Sequence, residues 1–292
     1  MRFAYPLMLL MVAPAIVCAQ PQAPLMEALV LADGDSGSVW QIAEATMEPD
    51  ATHSRDGRAL RFHIDVDHET GEPNYPIGWP RTFMAMPEEL RDWSGWDFIE
   101  FWLYAETSRE SLPPSPLGFI VRCPDRNSSF SVTLSEATKD DWAHFRFPIS
   151  SLPNPADCTA VQFFIAESNY RHGDVLDFWI DDLALLRYAE PTILTMRPLS
   201  GLHYADADAI HVEIELTGMA EDESAEVLAR LVTDGATVRQ GSARLGSGPH
   251  TIPLSVGGGL PPGEYEVQAQ IIGSNRTLSE PMRVISSPWE GE

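Results

Sequence analysis

DWSGWDFIEFWLYAET, residues 92–107, is the stretch that decides the fold. A turn over residues 92–95 leads into a strand, in which successive side chains point to opposite faces. One face is apolar and contains Ile99, Phe101, Leu103 and Ala105. The opposite face is aromatic with one carboxylate and contains Phe98, Glu100, Trp102 and Tyr104. Such a strand is either buried on both sides or lies beneath a bound ligand.

Short segments of alternating apolar and polar residues continue on both sides of this strand. Turn residues separate them, and almost no helical period occurs, so the sequence predicts an all-β fold. In the first part of the chain, strands are predicted at residues 27–32, 59–66, 81–84, 98–105, 118–123, 129–134, 143–148, 160–166 and 177–187. In the second part, strands are predicted at residues 209–216, 225–233, 237–245, 250–255, 264–272 and 282–285.

The composition changes near Ala189-Glu190-Pro191, after which aromatic residues are rare until Trp289. The later segments are spaced by about 8–12 residues, which is typical of an immunoglobulin-like sandwich. We therefore predict a jelly-roll β-sandwich followed by an immunoglobulin-like β-sandwich. The predicted divisions are a signal peptide at 1–19, a first domain at 20–190, a second domain at 191–287 and a flexible tail at 288–292.

The N-terminus has the features of a secretory signal peptide. Arg2 precedes an apolar run over residues 3–17, and Val17-Cys18-Ala19 offers small or medium residues for cleavage before Gln20. The apolar run is too short to span a membrane. We therefore predict a secreted or periplasmic protein with no membrane insertion.

The charge of the chain is strongly acidic, with 43 acidic residues against 19 lysines and arginines and a formal net charge of −24. Such a charge argues against nucleic acid or an anionic membrane surface as a partner. It fits calcium or neutral sugars better than polyanions. Residues 192–292 hold 14 acidic and 6 basic residues, so the first domain carries most of the negative charge.

Cys123 and Cys158 are the cysteines that follow the predicted signal peptide. In an oxidising compartment they can form a disulfide. Closing that loop would contribute about 3–4 kcal/mol in the chain-entropy model. Two separately buried thiols are the alternative, and both interpretations stay open.

Residues 25–188 resemble the galactose-binding-like jelly roll of carbohydrate-binding modules, including the family 11 and family 4 types. The resemblance rests on LVLADGD (29–35) with Trp40, WSGWDFIEFWLY (93–104), DWAHFRFPISSL (141–152), and VQFFI (161–165) with FWIDDL (178–183). Jelly rolls serve lectin-like, enzymatic and structural modules, so the resemblance indicates the fold more than any ligand.

The resemblance also implies a structural calcium ion where the first and last strands meet. Calcium binds six to eight oxygen atoms, mostly from carboxylates and backbone carbonyls. The candidate ligands are Asp33 and Asp35 in the opening turn and Asp181 and Asp182 in the last strand. Solvated turn residues are the alternative interpretation.

Sugar binding needs flat aromatic rings and polar side chains that form directed hydrogen bonds. The first candidates are Glu100, Trp102 and Tyr104 on the aromatic face of the central strand, which Arg122, Gln162 and Phe164 are predicted to join. Tyr75 and Trp79, in a loop rich in Pro and Gly, are predicted to form a site at the end of the sandwich instead. Burial of Trp102 and Phe164 under a long loop is the alternative.

No enzyme motif stands out in the sequence. Glu100 and Glu167 supply a pair of carboxylates for glycoside hydrolysis, and Tyr75, His63 and Arg81 supply the residue types of a lyase, but neither set is a motif. The leading hypothesis is therefore a secreted, non-catalytic carbohydrate-binding protein. A structural or assembly protein with no sugar ligand and a polysaccharide-active hydrolase or lyase are the alternatives.

Overall fold

The computed structural model describes residues 23–69, 77–124, 129–220 and 222–288. The predicted signal peptide, Tyr75 and residues 289–292 of the predicted tail lie outside these ranges. The chain divides into two compact units between Glu190 and Pro191. Within the described ranges, no helix has the length and hydropathy needed to cross a membrane.

The first unit is a sandwich of two sheets. Its strands are β1 (Met26–Ala32), β2 (Gln41–Ala43), β3 (Thr46–Asp50), β4 (Ala59–Asp65), β5 (Arg81–Ala85), β6 (Phe98–Thr107), β7 (Gly118–Arg122), β8 (Phe130–Thr133), β9 (Trp142–Pro148), β10 (Ala160–Phe164) and β11 (Val175–Tyr188). One sheet has the order β3-β4-β11-β6-β9, with β1 also paired to β11, and is called the β6 sheet. The other has the order β2-β5-β10-β7-β8 and is called the β10 sheet.

The core of the first unit lies between these two sheets. Along β6, Ile99, Phe101 and Leu103 are at most 1% exposed, as the apolar face of the opening stretch predicts. The Phe101 ring contacts Phe119 and Phe163 of the β10 sheet at centroid distances of 4.9 and 5.1 Å. Burial of each such side chain stabilises the fold by about 1.5–3 kcal/mol. The all-β sandwich prediction is confirmed.

Two strands of the first unit have no counterpart in the sequence-based prediction. Strands β2 and β3 are short, and β3 has the sequence TMEPD, which contains three residue types that are depleted in strands. Strand β3 lies at the edge of the β6 sheet, where Pro49 is tolerated because an edge residue needs no partner on its open side. Tertiary pairing with β4 determines this strand, rather than its own propensity.

Single turns of 3-10 helix connect some of the strands. They span Glu88–Leu90, Ile149–Ser151 and Glu167–Asn169. The first of them begins directly after Pro87.

The second unit is also built from sheets. Its strands are β12 (Thr192–Pro198), β13 (Leu202–Tyr204), β14 (Ala209–Thr217), β15 (Ala225–Thr233), β16 (Ala236–Leu245), β17 (Gly248–Ser255), β18 (Gly263–Ile271) and β19 (Thr277–Ile285). They form a three-stranded sheet of order β12-β14-β17 and a five-stranded sheet of order β13-β19-β18-β15-β16. Val212, Val227 and Val267 are fully buried in its core. The immunoglobulin-like description of this unit stays a prediction.

Candidate functional site

Trp102, on the outer face of the β6 sheet, has both faces of its ring covered by other side chains. The guanidinium carbon of Arg55 lies 3.6 Å from the ring centroid, and the His144 ring stacks on Trp102 with the centroids 4.4 Å apart. A sugar ring needs an open aromatic face for stacking. Trp102 therefore offers no free ring face in this structure.

Tyr104, two residues further along the same strand, is also covered by a side chain of the same protein. The His53 ring stacks on Tyr104 at a centroid distance of 4.1 Å and contacts the edge of Trp179 at 4.5 Å. His53 and Arg55 both belong to residues 51–58, which connect β3 to β4 and are called the covering loop. The aromatic side of the opening stretch thus lies under a loop of the same chain.

The charged groups on this face are also paired with one another. Glu100 Oε2 lies 2.6 Å from Arg146 Nη2 and 2.9 Å from His144 Nε2. Asp177 Oδ1 lies 2.7 Å from Arg61 Nε. Because rings and charges are satisfied within the protein, the outer face of the β6 sheet needs no ligand to complete it.

The outer face of the β10 sheet has a different set of side chains. It carries Arg81 and Phe83 from β5, Ile120 and Arg122 from β7, and Gln162 and Phe164 from β10. Phe119 and Phe163, which alternate with them, are fully buried, so the outward side is fixed by the strand period. Gln162 lies at the centre, because its Cα partners are Phe83 on one neighbouring strand and Ile120 on the other.

Gln162 is a buried amide with one half of its hydrogen-bonding capacity unused. Its side-chain oxygen accepts hydrogen bonds from Nε and Nη2 of Arg122, which fixes the orientation of the amide. The residue is 1% exposed, and its Nε2 has no hydrogen-bond partner among the described residues. Leaving a buried donor unpaired costs about 1–3 kcal/mol, so this nitrogen lowers the stability of the fold.

Phe164 and Trp79 form an aromatic corner on this face. Their ring centroids are 5.4 Å apart and the rings meet edge to face. The Phe164 ring lies directly over Gly118 of the neighbouring strand, and a methyl group at Gly118 would overlap it. Glycine at that position therefore permits the ring to lie flat along the sheet. Trp79 is 42% exposed, which leaves ring surface available to a ligand.

The segment that carries Trp79 is held by two carboxylates. Glu167, which is 3% exposed, accepts a hydrogen bond from the backbone N–H of Gly78 at 2.6 Å. Glu44 accepts one from the backbone N–H of Trp79 at 2.7 Å. Arg81 Nη1 donates a hydrogen bond to the Trp79 carbonyl oxygen. The guanidinium carbon of Arg81 lies 5.1 Å from the centroid of the Trp79 ring. The position of the Trp79 ring is therefore defined before any ligand binds.

The sequence-based prediction that Arg122, Gln162 and Phe164 join Trp102 is wrong. Strand β6 belongs to one sheet, whereas β7 and β10 belong to the other. The outward sides of these sheets point away from a shared core, so the residues lie on opposite faces of the sandwich. Trp79, predicted to act with Tyr75 at the end of the sandwich, instead contacts Phe164. Tyr75 lies outside the described residues.

Two residues of this face are absent from the predicted binding site. Phe83 lies beside Gln162 and beneath the Arg122 guanidinium at 5.7 Å, and Arg81 lies over Trp79. One feature of the sequence sets the strands of this sheet apart. Strands β2, β5, β7, β8 and β10 contain no Asp or Glu, although the chain has 43 acidic residues.

The residues considered for an enzyme are not brought together. Glu100 lies on the outer face of the β6 sheet, whereas Glu167 follows β10 and is engaged with the backbone of Gly78. His63 lies on β4, 2.8 Å from Asp177, whereas Arg81 lies on the β10 sheet. Neither set forms a common site in the described structure.

The four predicted calcium ligands do not act as one group. Asp35 forms an ion pair with Arg58, in which Arg58 Nε lies 2.8 Å from Asp35 Oδ1. The Asp33 side chain accepts a hydrogen bond from the backbone N–H of Asp35. Burial raises the pKa of Asp181, and the nearby charges of Asp182 and Asp33 raise it further. Among residues 23–69, 77–124, 129–220 and 222–288, no group of three His, Cys, Asp or Glu has the arrangement that holds a metal ion. Asp33, Asp181 and Asp182 lie close enough to interact electrostatically, whereas Asp35 is paired with Arg58, and calcium stays a prediction.

Cys123 and Cys158 are free thiols in the structure, and no disulfide joins them. Both are buried, and both lie against the carbonyl oxygen of Asn154, at 3.5 and 3.7 Å. Burial and the neighbouring Cys123 raise the pKa of the Cys158 thiol well above its ordinary value. The two thiols are therefore neighbours rather than separately buried, and their pairing under oxidising conditions stays a prediction.

Several solved structures are similar in fold to this chain. A CBM28 carbohydrate-binding module described as specific for non-crystalline cellulose has 14% identity and a TM-score of 0.34, covering 53% of this chain and 93% of its own. The CBM22 tandem domain of Paenibacillus barcinonensis Xyn10C has 9% identity and a TM-score of 0.34, covering 91% and 88%. Caldicellulosiruptor saccharolyticus CBM27-1, in complex with mannohexaose, has 19% identity and a TM-score of 0.32, covering 53% and 96%.

No protein-family model and no curated protein matches the chain. Because the structural similarities are low in both identity and TM-score, the candidate site rests on its own geometry.

Proposed function

We propose that this protein is an exported, non-catalytic carbohydrate-binding protein, and that the glycan binds to the outer face of the β10 sheet. The observation that carries the proposal is the exposed ring of Trp79, which contacts Phe164 on a face that also holds Arg81 and Arg122. The secreted or periplasmic location predicted from the N-terminus belongs to the same proposal.

The chemistry of this face matches what a sugar needs. Aromatic rings pack against the C–H faces of a pyranose, and polar side chains bind its hydroxyls. Trp79 supplies the exposed ring, with Phe164 and Phe83 beside it. Arg122 on β7 supplies hydrogen-bond donors, and Gln162 on the neighbouring strand β10 orients its guanidinium by accepting from Nε. The site is on regular strands and an anchored segment, so little order has to be gained on binding.

Non-catalytic binding is supported by the state of the carboxylates. The Glu100 carboxylate is paired with Arg146 and His144, and Glu167 accepts backbone hydrogen bonds from Gly78 and Asp67. Both carboxylates are engaged in holding the fold. Neither lies on the outer face of the β10 sheet, where the proposed glycan is placed.

The proposal is tested with matched tryptophan substitutions on opposite faces. Trp79→Ala and Trp102→Ala each remove one indole, and binding of both variants to a glycan array is followed by calorimetric titration of the strongest hit. Trp79→Ala is expected to lower the affinity by tenfold or more, which corresponds to about 1.4 kcal/mol. Trp102→Ala is expected to change it less than twofold while lowering the melting temperature.

Three outcomes contradict the proposal in different ways. Loss of binding on Trp102→Ala with normal binding by Trp79→Ala would move the site to the β6 sheet. No binding of wild-type protein to any glycan, with a protein partner recovered, would favour the structural alternative. Release of products from a polysaccharide by purified protein would favour the enzyme alternative. Circular dichroism of each variant confirms that the fold is retained.

A further inference from the structure

We infer that the glycan carries carboxylates, so that the ligand is a uronate-containing oligosaccharide held by Arg81 and Arg122. The inference rests on the proposed function and specifies the ligand of the same face. It departs from the neutral sugar that the overall acidic charge of the chain favours. The reason is that the local charge of this face is opposite to that of the whole chain.

Arginines elsewhere in the first unit are commonly paired with carboxylates. Arg61, Arg146 and Arg187 lie within 2.6 to 2.8 Å of Asp177, Glu100 and Glu27, respectively. By contrast, neither Arg81 nor Arg122 lies within 4.0 Å of a carboxylate among the described residues. Arg91 and Arg171 share this feature among the described residues, but Arg81 and Arg122 are the two that lie on the strands of one sheet face. Their countercharge is most simply supplied by a ligand.

The strand positions around these arginines are free of acidic residues. The outward positions are Gln41 and Ala43 on β2, Arg81, Phe83 and Ala85 on β5, Ala160, Gln162 and Phe164 on β10, Gly118, Ile120 and Arg122 on β7, and Ser131 and Thr133 on β8. The opposite face, on the β6 sheet, carries Glu48, Asp65, Glu100, Glu106 and Asp177. The strand positions of the β10 face therefore carry two arginines and no carboxylate, and the nearest carboxylates, Glu44 and Glu167, are hydrogen-bonded to the backbone of Trp79 and Gly78.

Both guanidinium groups are positioned and still have donors to offer. The Arg122 guanidinium lies over the Phe83 ring, and its Nε and Nη2 donate hydrogen bonds to the side-chain oxygen of Gln162. The Arg81 guanidinium lies over the Trp79 ring, and its Nη1 donates a hydrogen bond to the Trp79 carbonyl oxygen. An arginine has five N–H donors in a planar fork that matches a carboxylate. The remaining N–H groups of each arginine are thus available to a ligand oxygen.

The spacing of the two arginines specifies an oligomer rather than a single sugar. Arg81 pairs across the sheet with Phe164, whereas Arg122 pairs with Ala160 at the other end of β10. The two positions are therefore separated by about 13 Å along the strands and about 10 Å across them. An oligosaccharide rather than a single sugar matches this separation of backbone positions. Gln162 lies between them and accepts hydrogen bonds from the Arg122 side chain.

The net charge of the domain does not oppose this contact at physiological salt. Charges separated by more than a Debye length of about 8 Å are largely screened at that ionic strength. The acidic residues of the opposite face lie across the core of the sandwich. The proposed hydrogen-bonded contacts between a ligand carboxylate and Arg81 or Arg122 are shorter than the Debye length, so salt at that concentration does not abolish them.

The experiment compares each acidic glycan with its own neutral form. Hexasaccharides of galacturonate, glucuronate and mannuronate are titrated at physiological salt, each beside the same oligosaccharide after chemical reduction of its carboxylates to CH2OH. We expect at least one acidic hexasaccharide to bind tenfold or more tightly than its reduced form. Arg81→Gln and Arg122→Gln are each expected to lower that affinity by fivefold or more and to shrink the acidic-to-neutral ratio.

Arg187→Gln is the matched control, because it makes the same charge change on the β6 sheet, where Arg187 pairs with Glu27. It is expected to change the affinity less than twofold. Equal or tighter binding of the reduced forms, or no binding of any acidic hexasaccharide, would overturn the inference and leave the proposed function standing if a neutral glycan binds. An absence of binding to every glycan, acidic or neutral, would overturn both. Arg81→Gln keeps the test valid if Arg122→Gln fails to fold.

Discussion

The two outer faces of the first unit are both rich in aromatic rings and arginines. They differ in whether the rings are covered and the charges paired within the protein. On the β6 sheet, Trp102 lies between Arg55 and His144, and the charges of that face are paired. On the β10 sheet, Trp79 is 42% exposed and Gln162 has a donor without a partner in the described structure. The difference is the reason for proposing the β10 face as the binding face, because ring content is similar on the two faces whereas an exposed ring distinguishes the β10 face.

The largest effect is expected from filling the space beneath Phe164. Gly118→Ala places a methyl group where the Phe164 ring lies, so the ring must move out of the β10 face. We expect a loss of glycan affinity of about tenfold or more, together with a stability cost of about 1–3 kcal/mol from overpacking. Calorimetric titration and urea denaturation measure the two effects.

Gly95→Ala is the control for this substitution, because nothing lies within 4 Å of the added methyl group. It is expected to change neither affinity nor stability appreciably. In a Phe164→Ala background, Gly118→Ala should no longer destabilise, because the clashing ring is gone. A stability cost that persists in that background would show that the glycine serves another purpose.

A smaller effect is expected from opening the covered face. Arg55→Ala removes the guanidinium from Trp102, and the lost cation–π contact should cost about 0.5–2 kcal/mol of folding free energy. Glycan affinity should stay within twofold, although one face of Trp102 becomes open. Arg171→Ala, at an exposed arginine, is the control for the loss of one positive charge. A gain or loss of glycan binding on Arg55→Ala alone would place the β6 sheet in the site.

The smallest effect is expected from the ion pair that holds the covering loop. The hydrogen bonds from Arg58 hold the pKa of Asp35 below its ordinary value of 3.8. Because the folded pKa is lowered, the ionised carboxylate stabilises the fold above the ordinary value, and this contribution is lost as the pH falls through the folded pKa. Asp35→Asn should therefore lower the melting temperature slightly at pH 7.

The melting temperatures of Asp35→Asn and wild-type protein should converge at a pH well below 3.8, where Asp35 is protonated in both states. Thermal unfolding at a series of pH values measures the difference. A difference that is independent of pH would show that the Asn change acts through packing instead of charge. Glycan affinity at pH 7 should be unaffected, because the covering loop lies over the β6 sheet.

Much of the fold could be predicted from the sequence, because strand alternation and the burial pattern share a period of two. Strand β6 shows this best, since its buried positions are the apolar ones at Ile99, Phe101 and Leu103. Strands β2 and β3 could not be predicted in this way. They are short, and their pairing to β5 and β4 is set by tertiary contacts.

The site could be predicted only in part. Residue type singles out Gln162, Phe164, Arg122 and Trp79 as candidates, and their role in binding stays a prediction. It also groups the first three with Trp102, which lies on the other sheet. Which sheet a strand joins depends on the chain path, which local sequence does not reveal. Burial of Trp102 under a loop is one of the two alternatives that the sequence leaves open, but which loop covers it could not be predicted, because polar residues such as His53 and Arg55 resemble those of any solvated turn. The lack of acidic residues in the strands of the β10 sheet was the readable signal.

The most direct test of the account follows the two tryptophans during one titration. Protein labelled with 5-fluorotryptophan gives 19F resonances that are assigned with Trp79→Phe and Trp102→Phe variants. On addition of the glycan that binds most tightly, we predict that the Trp79 resonance shifts in proportion to occupancy while the Trp102 resonance stays in place. A shift of Trp102 with a stationary Trp79 would contradict the assignment of the binding face to the β10 sheet.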